Sequence, residues 1–304
     1  MKITTALAAG LGGIGAISAA CLTYATTIEL NAFHLRRVTV AVLPPKAESV
    51  RVLHLSDLHL LGSQTRKIAW VRALADLEPH FVVNTGDNVA EAAALHDLAH
   101  ALSPLAGVPG VFVFGSNDYH SARPINPVKY FHPSHPTHVQ ANLPTAALAL
   151  TLEGLGWADA EQRRLQFRLE GTTIEVRGCG DHHAELDDYP VVAGPISPEV
   201  DLLMGVTHSP YRAVLDQMTL DGAGLILCGH THGGQVCLPG GRALTTNCDL
   251  PASAAKGLSR HRVGEMETAL HVSAGLGTSP YAPYRFCCPP EATLLTLTAR
   301  PDRD

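Results

Sequence analysis

Five short polar clusters in this chain carry the residue types of metal chemistry, and each follows an apolar run. They are Asp57-Leu58-His59, Gly86-Asp87-Asn88, Gly115-Ser116-Asn117-Asp118, Thr207-His208 and Gly229-His230-Thr231-His232-Gly233-Gly234. In an extended segment alternate side chains point the same way, so Asp57 with His59, and His230 with His232, each direct two ligands at one cavity. A carboxylate can bridge two cations, and Asp87, flanked by Gly86, is the natural bridge. Mixed imidazole and carboxylate donors suit Mn, Fe or Zn better than Ca or a thiolate-seeking ion. Two such cations about 3.5–4 Å apart hold a phosphate, lower the pKa of a bridging water and stabilise the entering and leaving oxygens. The chemistry expected is therefore hydrolysis of a phosphate ester or phosphoanhydride by metal-activated water. Ser116 and Ser209 lack the Gly-x-Ser-x-Gly setting of a serine nucleophile.

Each motif alone is weak, since Gly-Asp-Asn is commonly a turn. Their order behind apolar runs is what carries the reading. Those runs, Val50–Leu55, Phe81–Val83, Val111–Phe114, Leu202–Val206 and Leu225–Cys228, read as strands. Ile68, Val71, Leu74 and Leu77 recur at helical spacing after Ser63 or Thr65, either of which can cap a helix; Val89, Ala92, Leu95, Leu98 and Leu102 repeat the pattern. Ser209-Pro210 reads as the start of another helix. The β-α-β-α-β alternation predicts helix-covered sheet, with sites gathered at the carboxyl ends of the strands. Further strand-like runs lie at Leu165–Leu169, Thr173–Val176, Ala269–Ser273 and Thr293–Leu297.

A hydrophobic fraction of 46% against 16% charged residues over 304 positions allows a large buried core. The net charge of −6 excludes a general nucleic-acid binder, which needs a basic face. Residues 3–28 carry no charged side chain and are long enough to cross a bilayer, so they predict a membrane anchor or signal-anchor helix. Lys2 precedes the segment while Arg36, Arg37 and Lys46 follow it, which favours the cytoplasmic side for the large domain without removing the extracytoplasmic alternative. The expected division is 1–30 anchor, 31–50 connector and 51–304 catalytic domain. Seven cysteines, an odd number with no Cys-x-x-Cys pair, predict free thiols. His132, His135 and His138 lie among prolines that forbid a regular helix, and read as a loop over the cleft.

The ordered clusters resemble the blocks of the calcineurin-like metallophosphoesterase superfamily. His54-Leu55-Ser56-Asp57-Leu58-His59, Gln235, the Gly275–Pro280 run, Arg285-Phe286 and Pro290-Glu291 are similar to its YkuE-like branch of bacterial membrane-linked phosphohydrolases. The resemblance implies an α/β fold, a four-layer α/β/β/α sandwich with two mixed sheets. It implies Asp57, His59, Asp87 and His232 around one metal, and Asp87, His208, His230 and an Asn around the other. The third block departs from the family's usual Gly-Asn-His-Asp/Glu. Aligned without a gap, Ser116 stands for the ligand Asn and Asn117 for the His that assists the leaving group; with a one-residue slip, Asn117 keeps the ligand role and Asp118 stands for the His. A carboxamide oxygen is the better ligand for a hard cation, which favours Asn117. Asp118 and His120 are then the candidate catalytic acids, and His182 and His183 are further candidates to line the pocket. The substrates implied are phosphorylated small molecules or lipids. A catalytically silent metal-binding membrane scaffold or sensor is the rival, supported by the altered third block.

Overall fold

The apolar runs become strands of two six-stranded sheets in a computed structural model that describes residues 15–122 and 141–301. The first sheet runs β1 (His34–Leu43), β12 (Glu291–Ala299), β2 (Val50–Leu55), β3 (Phe81–Asn84), β4 (Gly110–Phe112), β5 (Trp157–Asp159). Only the β12–β2 pair in it is antiparallel. The second runs β10 (Gly257–Val263), β11 (Met266–Val272), β9 (Leu225–Cys228), β8 (Leu202–Thr207), β7 (Thr172–Cys179), β6 (Arg163–Leu169), antiparallel at its two outer pairs and parallel within. The helices are α1 (residues 15–23), α2 (Thr65–Arg72), α3 (Leu95–Leu102), the short α4 (Ser116–Tyr119), α5 (Thr145–Glu153) and α6 (Arg212–Leu220).

Period-two alternation assigns each strand residue to a layer. Val50 and Val52 of β2 enter the core between the sheets with Phe81, Val83, Val176, Met204, Val206 and Leu227. Leu53 and Leu55 face the other way, onto Val71 of α2, Leu98 of α3 and Leu148 of α5. Behind the second sheet, Ile226 and Val272 pack on Val214, Leu215 and Met218 of α6. The layers are thus helix, sheet, sheet, helix.

Several expectations shift. The stretch assigned to a connector contains β1, an edge strand whose exposed outward residues hid its periodicity; it pairs with β12 from His34 to Leu43. The chain before it also docks: Arg285 N donates to Ala25 O at 3.1 Å, and the buried Glu29 carboxylate receives the amides of Cys287 and Cys288. α2 tightens into a 3₁₀ turn at Ala73–Leu77 rather than running on, and is preceded by Gln64 instead of a Ser or Thr cap. The helix after Ser209-Pro210 begins later, at Arg212. Among the described residues no helix is long and apolar enough to cross a membrane. The anchor expected over 3–28 lies partly outside them, as do His132, His135 and His138. All seven cysteines are free.

Candidate metal centre

The carboxyl ends of β2, β3, β8 and β9 meet at one edge of the sandwich, and the loops leaving them hold the polar clusters. Asp57, His59, Asp87 and His232 offer ligand atoms that all lie within 4.8 Å of one another. His59 Nε2 is 3.3 Å from Asp87 Oδ2 and 3.3 Å from His232 Nε2, while His232 Nε2 is 3.7 Å from Asp57 Oδ1. A second group shares Asp87. His208 Nε2 lies 3.5 Å from Asp87 Oδ2, and Asn117 donates to both carboxylate oxygens, from its backbone N at 2.9 Å and its side-chain amide at 2.8 Å. The His230 ring sits 5.2 Å from that of His208 and 4.6 Å from that of His183.

Backbone conformation concentrates here. Twelve non-glycine residues among those described have positive φ, and Asp57, His59, Asp87, His230 and His232 are five of them. Side chains beyond glycine avoid this region unless the surroundings over-determine it. Glycines make room for the crossing loops: a Cβ on Gly115 would lie 2.2 Å from Asp87 Oδ1 and 2.6 Å from His208 Cε1. Gly115→Ala is therefore expected to push Asp87 and His208 apart and lower metal occupancy with little loss of fold. Elemental analysis of the purified variant beside its melting temperature checks this; full occupancy would show that the loops yield easily.

The electrostatics suit cations. Burial brings the His59 pKa down to about 4, with the Asp87 charge opposing it and Lys67 adding to it. Burial likewise holds His230 and His232 well below the ordinary range, which favours the neutral rings a metal requires. Burial alone would raise Asp87, yet His208 and His59 hold it well below the usual carboxylate range. Burial opposes charge on His208, but Asp87 and Asp181 keep its pKa well above normal, so loading it with a metal must release a proton. His208 Nδ1 faces Thr85 O at 2.6 Å and His232 Nδ1 faces Gly277 O at 3.1 Å. Each thus donates its Nδ1–H and turns Nε2 toward the centre, the usual orientation of a metal-holding imidazole. Within the described residues His208 Nε2 and His59 Nδ1 are buried with no hydrogen-bond partner. Clustered imidazoles and carboxylates, with the buried His208 Nε2 lacking a hydrogen-bond partner, fit transition-metal ions.

The remaining sequence candidates separate. Asp118 is fully buried and does not face the cleft: it accepts from the backbone N–H of Asp87 and Asn88, each at 2.7 Å, and of Gly115 at 3.1 Å. His120 ends α4, its ring 6.4 Å from that of Tyr119. Ser116 N donates to Asp181 at 3.1 Å, leaving Asn117 as the residue that meets Asp87. His183 joins the site through its contact with His230 and bonds Tyr211 OH at 3.0 Å, whereas His182 pairs with Asp187 at 2.9 Å. Sequence reasoning missed the supports. The buried Arg285 guanidinium donates to the carbonyls of His232, Ala274, Gly275, Gly277 and Cys288, and the buried Lys67 donates to Leu58 O at 2.8 Å. Burial and then Arg285 bring Lys67 down to about 7. No residue pattern foretells that these cations are interior.

Known proteins share much of this chain. A protein of Bacillus subtilis, YpbG, is 26% identical over 234 residues, covering 76% of this chain and 80% of its own. A bovine (Bos taurus) transmembrane protein with metallophosphoesterase domain is 28% identical over 252 residues, 78% of this chain but only 49% of that protein, so the chain spans about half its length. The crystal structure of TT1561 from Thermus thermophilus aligns over 75% of this chain and 91% of its own, at 12% identity and a TM-score of 0.40. The model of the calcineurin-like phosphoesterase family matches residues 50–234, from the strand before Asp57 to the glycines after His232. With more than half of its length inside that match, the chain belongs to the calcineurin-like phosphoesterase family.

Proposed function

We propose that the chain is a hydrolase of phosphate esters or phosphoanhydrides, with Asp57, His59, Asp87 and His232 holding one divalent ion and Asp87, Asn117, His208 and His230 a second. The observation that carries this is the sharing of Asp87: one carboxylate oxygen lies 3.3 Å from a ring nitrogen of the first group and 3.5 Å from one of the second. Bound there, two divalent ions supply Lewis acidity and lower the pKa of a water nucleophile. The protein's own part is to present neutral rings, to keep Asp87 ionised, and to hold Asn117 against it. A flip of the Asn117 amide, which exchanges nitrogen for oxygen at the same place, turns a donor into a ligand.

Leaving-group protonation is the weak point of the site. The third block has no histidine, and the carboxylate of Asp118 is occupied by main-chain amides. A missing general acid removes about 10²–10⁴ in rate, most for poor leaving groups. Turnover of a series of aryl phosphodiesters by Mn-loaded protein is therefore expected to fall steeply as the phenol pKa rises. A flat series would reveal an acid at work, with His120 or His183 the first to replace. Metal analysis on the same samples should give two ions per chain. Two ions without turnover on mono- or diesters would favour the silent scaffold, the reading that the main-chain role of Asp118 supports.

The uncharged run of residues 3–28 and the bovine relative's description as a transmembrane protein support a further part of the proposal, that the chain is membrane-anchored; a lipid phosphate or lipid-linked nucleotide as substrate is proposed from that anchoring alone. Recovery of the full chain in the soluble fraction, with truncation of residues 1–30 making no difference, would overturn it.

A further inference from the structure

Two histidines occupy the apolar layer between the sheets. His54 follows Val50 and Val52 on the inward face of β2, and His271 follows Ala269 on the inward face of β11; both are fully buried. His54 Nδ1 meets His271 Nδ1 at 3.1 Å, and His54 Nε2 meets Thr85 Oγ1 at 3.0 Å. Thr85 Oγ1 meets Ser56 Oγ at 2.7 Å, and Ser56 Oγ meets Asp57 Oδ2 at 2.5 Å. A continuous hydrogen-bonded path therefore runs from the second sheet, through the first, to a carboxylate of the metal centre.

We propose that His271, His54, Thr85 and Ser56 form a one-way hydrogen-bond relay that fixes and polarises the Asp57 carboxylate, making them positioning residues for the metal centre. The proposal rests on Asp57 being a metal-holding carboxylate, as read above. The direction follows by elimination. An ionised Asp57 only accepts, so the Ser56 hydroxyl hydrogen goes to it. The single hydrogen of Thr85 must then go to Ser56; its other acceptor, Leu55 O, lies at the 3.5 Å limit. Thr85 can only accept from His54, which places a hydrogen on His54 Nε2. A neutral His54 is then bare at Nδ1, and His271 must donate from its own Nδ1. This leaves His271 Nε2 as a bare lone pair, and that atom is buried with no hydrogen-bond partner. Burial favours the neutral form of both rings. Four donors aligned head to tail strengthen one another in a low-dielectric interior. Their sum fixes the Asp57 Oδ2 lone pairs and leaves Oδ1 toward His232.

The metal-free protein labelled with ¹⁵N-histidine tests the direction, through two-bond ¹⁵N–¹H correlation spectra at mildly alkaline pH. His54 is expected as the Nε2–H tautomer and His271 as the Nδ1–H tautomer; the reverse pair, or a charged ring, overturns the relay. Zn(II) titration of the metal-free protein tests its consequence. Thr85→Val should weaken Zn(II) binding by about tenfold to hundredfold, as loss of an outer partner of a ligand does. His271→Leu should weaken it less, and the double variant should bind as weakly as Thr85→Val alone, because a chain cut at Thr85 no longer transmits His271. Losses that multiply, or unchanged affinity in a variant that melts like wild type, overturn the coupling. Failure of the wild type to bind Zn(II) would refute the metal reading instead, and the tautomers would still decide the relay.

Discussion

Asp87→Asn is expected to bring both metals out of the centre and to lower turnover by about three orders of magnitude or more. That magnitude follows from the several kcal/mol that a metal pair supplies to a transition state, at about 1.36 kcal/mol per tenfold. The substitution keeps size and shape, and its carbonyl oxygen can still accept the Asn117 backbone amide that now bonds Oδ1 at 2.9 Å. What it removes is the charge that His59 and His208 face at 3.3 and 3.5 Å. His208, held well above its ordinary pKa by Asp87 and Asp181 against burial, loses its main partner and becomes neutral. The metal-free variant should also be less stable near neutral pH, because the buried Asp87 charge and its His208 partner no longer support each other. In the wild type the depressed Asp87 pKa contributes stability above the ordinary carboxylate range, and that contribution fades as pH falls through the native value. Metal content and turnover measured on the same preparation decide the matter. A variant retaining two ions, or most of its rate, would mean that Asp87 does not bridge.

Much of the candidate site was legible because its residues break the rules of packing. Asp57, His59, Asp87, His208, His230 and His232 stand where strands end, are too polar to bury without a purpose, and include two pairs at spacing two. The strands β2, β3, β4, β8 and β9 were legible for the opposite reason, being short, largely apolar runs buried on both faces. What escaped is what depends on the partner. β1 faces solvent along most of its length, so His34–Leu43 shows too little alternation to be seen without β12 beside it. Arg285 and Lys67 look like surface cations until the carbonyls around them are in place. His54 and His271 look like core interruptions far apart in sequence, and only the crossing of two sheets joins them. Asp118 is the instructive case: its neighbourhood in the third block suggested a catalytic acid, and its partners are the main chain of two loops.

That difference is measurable. Asp118→Ala leaves three buried N–H groups, of Asp87, Asn88 and Gly115, without their acceptor. Each unsatisfied donor costs about 1–3 kcal/mol, partly relieved by relaxation, so a loss of about 3–5 kcal/mol is expected, with metal affinity falling alongside. A residue acting as a proton donor in the cleft would behave differently: its removal would spare stability and metal binding and abolish turnover of poor leaving groups alone. The pH dependence adds a second signature. In the metal-free protein burial, and then Asp87, push the Asp118 carboxyl up to about 7, against the amides of Asn88 and Gly115 that favour the anion. The native state therefore keeps a proton that the unfolded chain has released, and stability falls as pH rises through the window from 3.8 to about 7. Asp57, raised to about 6, and Glu161, raised to about 7, act in the same direction, so the comparison must be made with Asp118→Asn, which mimics the protonated form at that one site. Buried histidines with lowered pKa values oppose these acids over part of the window and are common to both proteins, so the signature lies in the difference: the denaturant midpoint of the metal-free wild type minus that of Asp118→Asn should fall as pH rises across it. A constant difference would mean that Asp118 is already ionised throughout. Adding metal should flatten the wild-type curve, because two cations beside Asp87 favour the anion that its neighbours' amides are already arranged to receive.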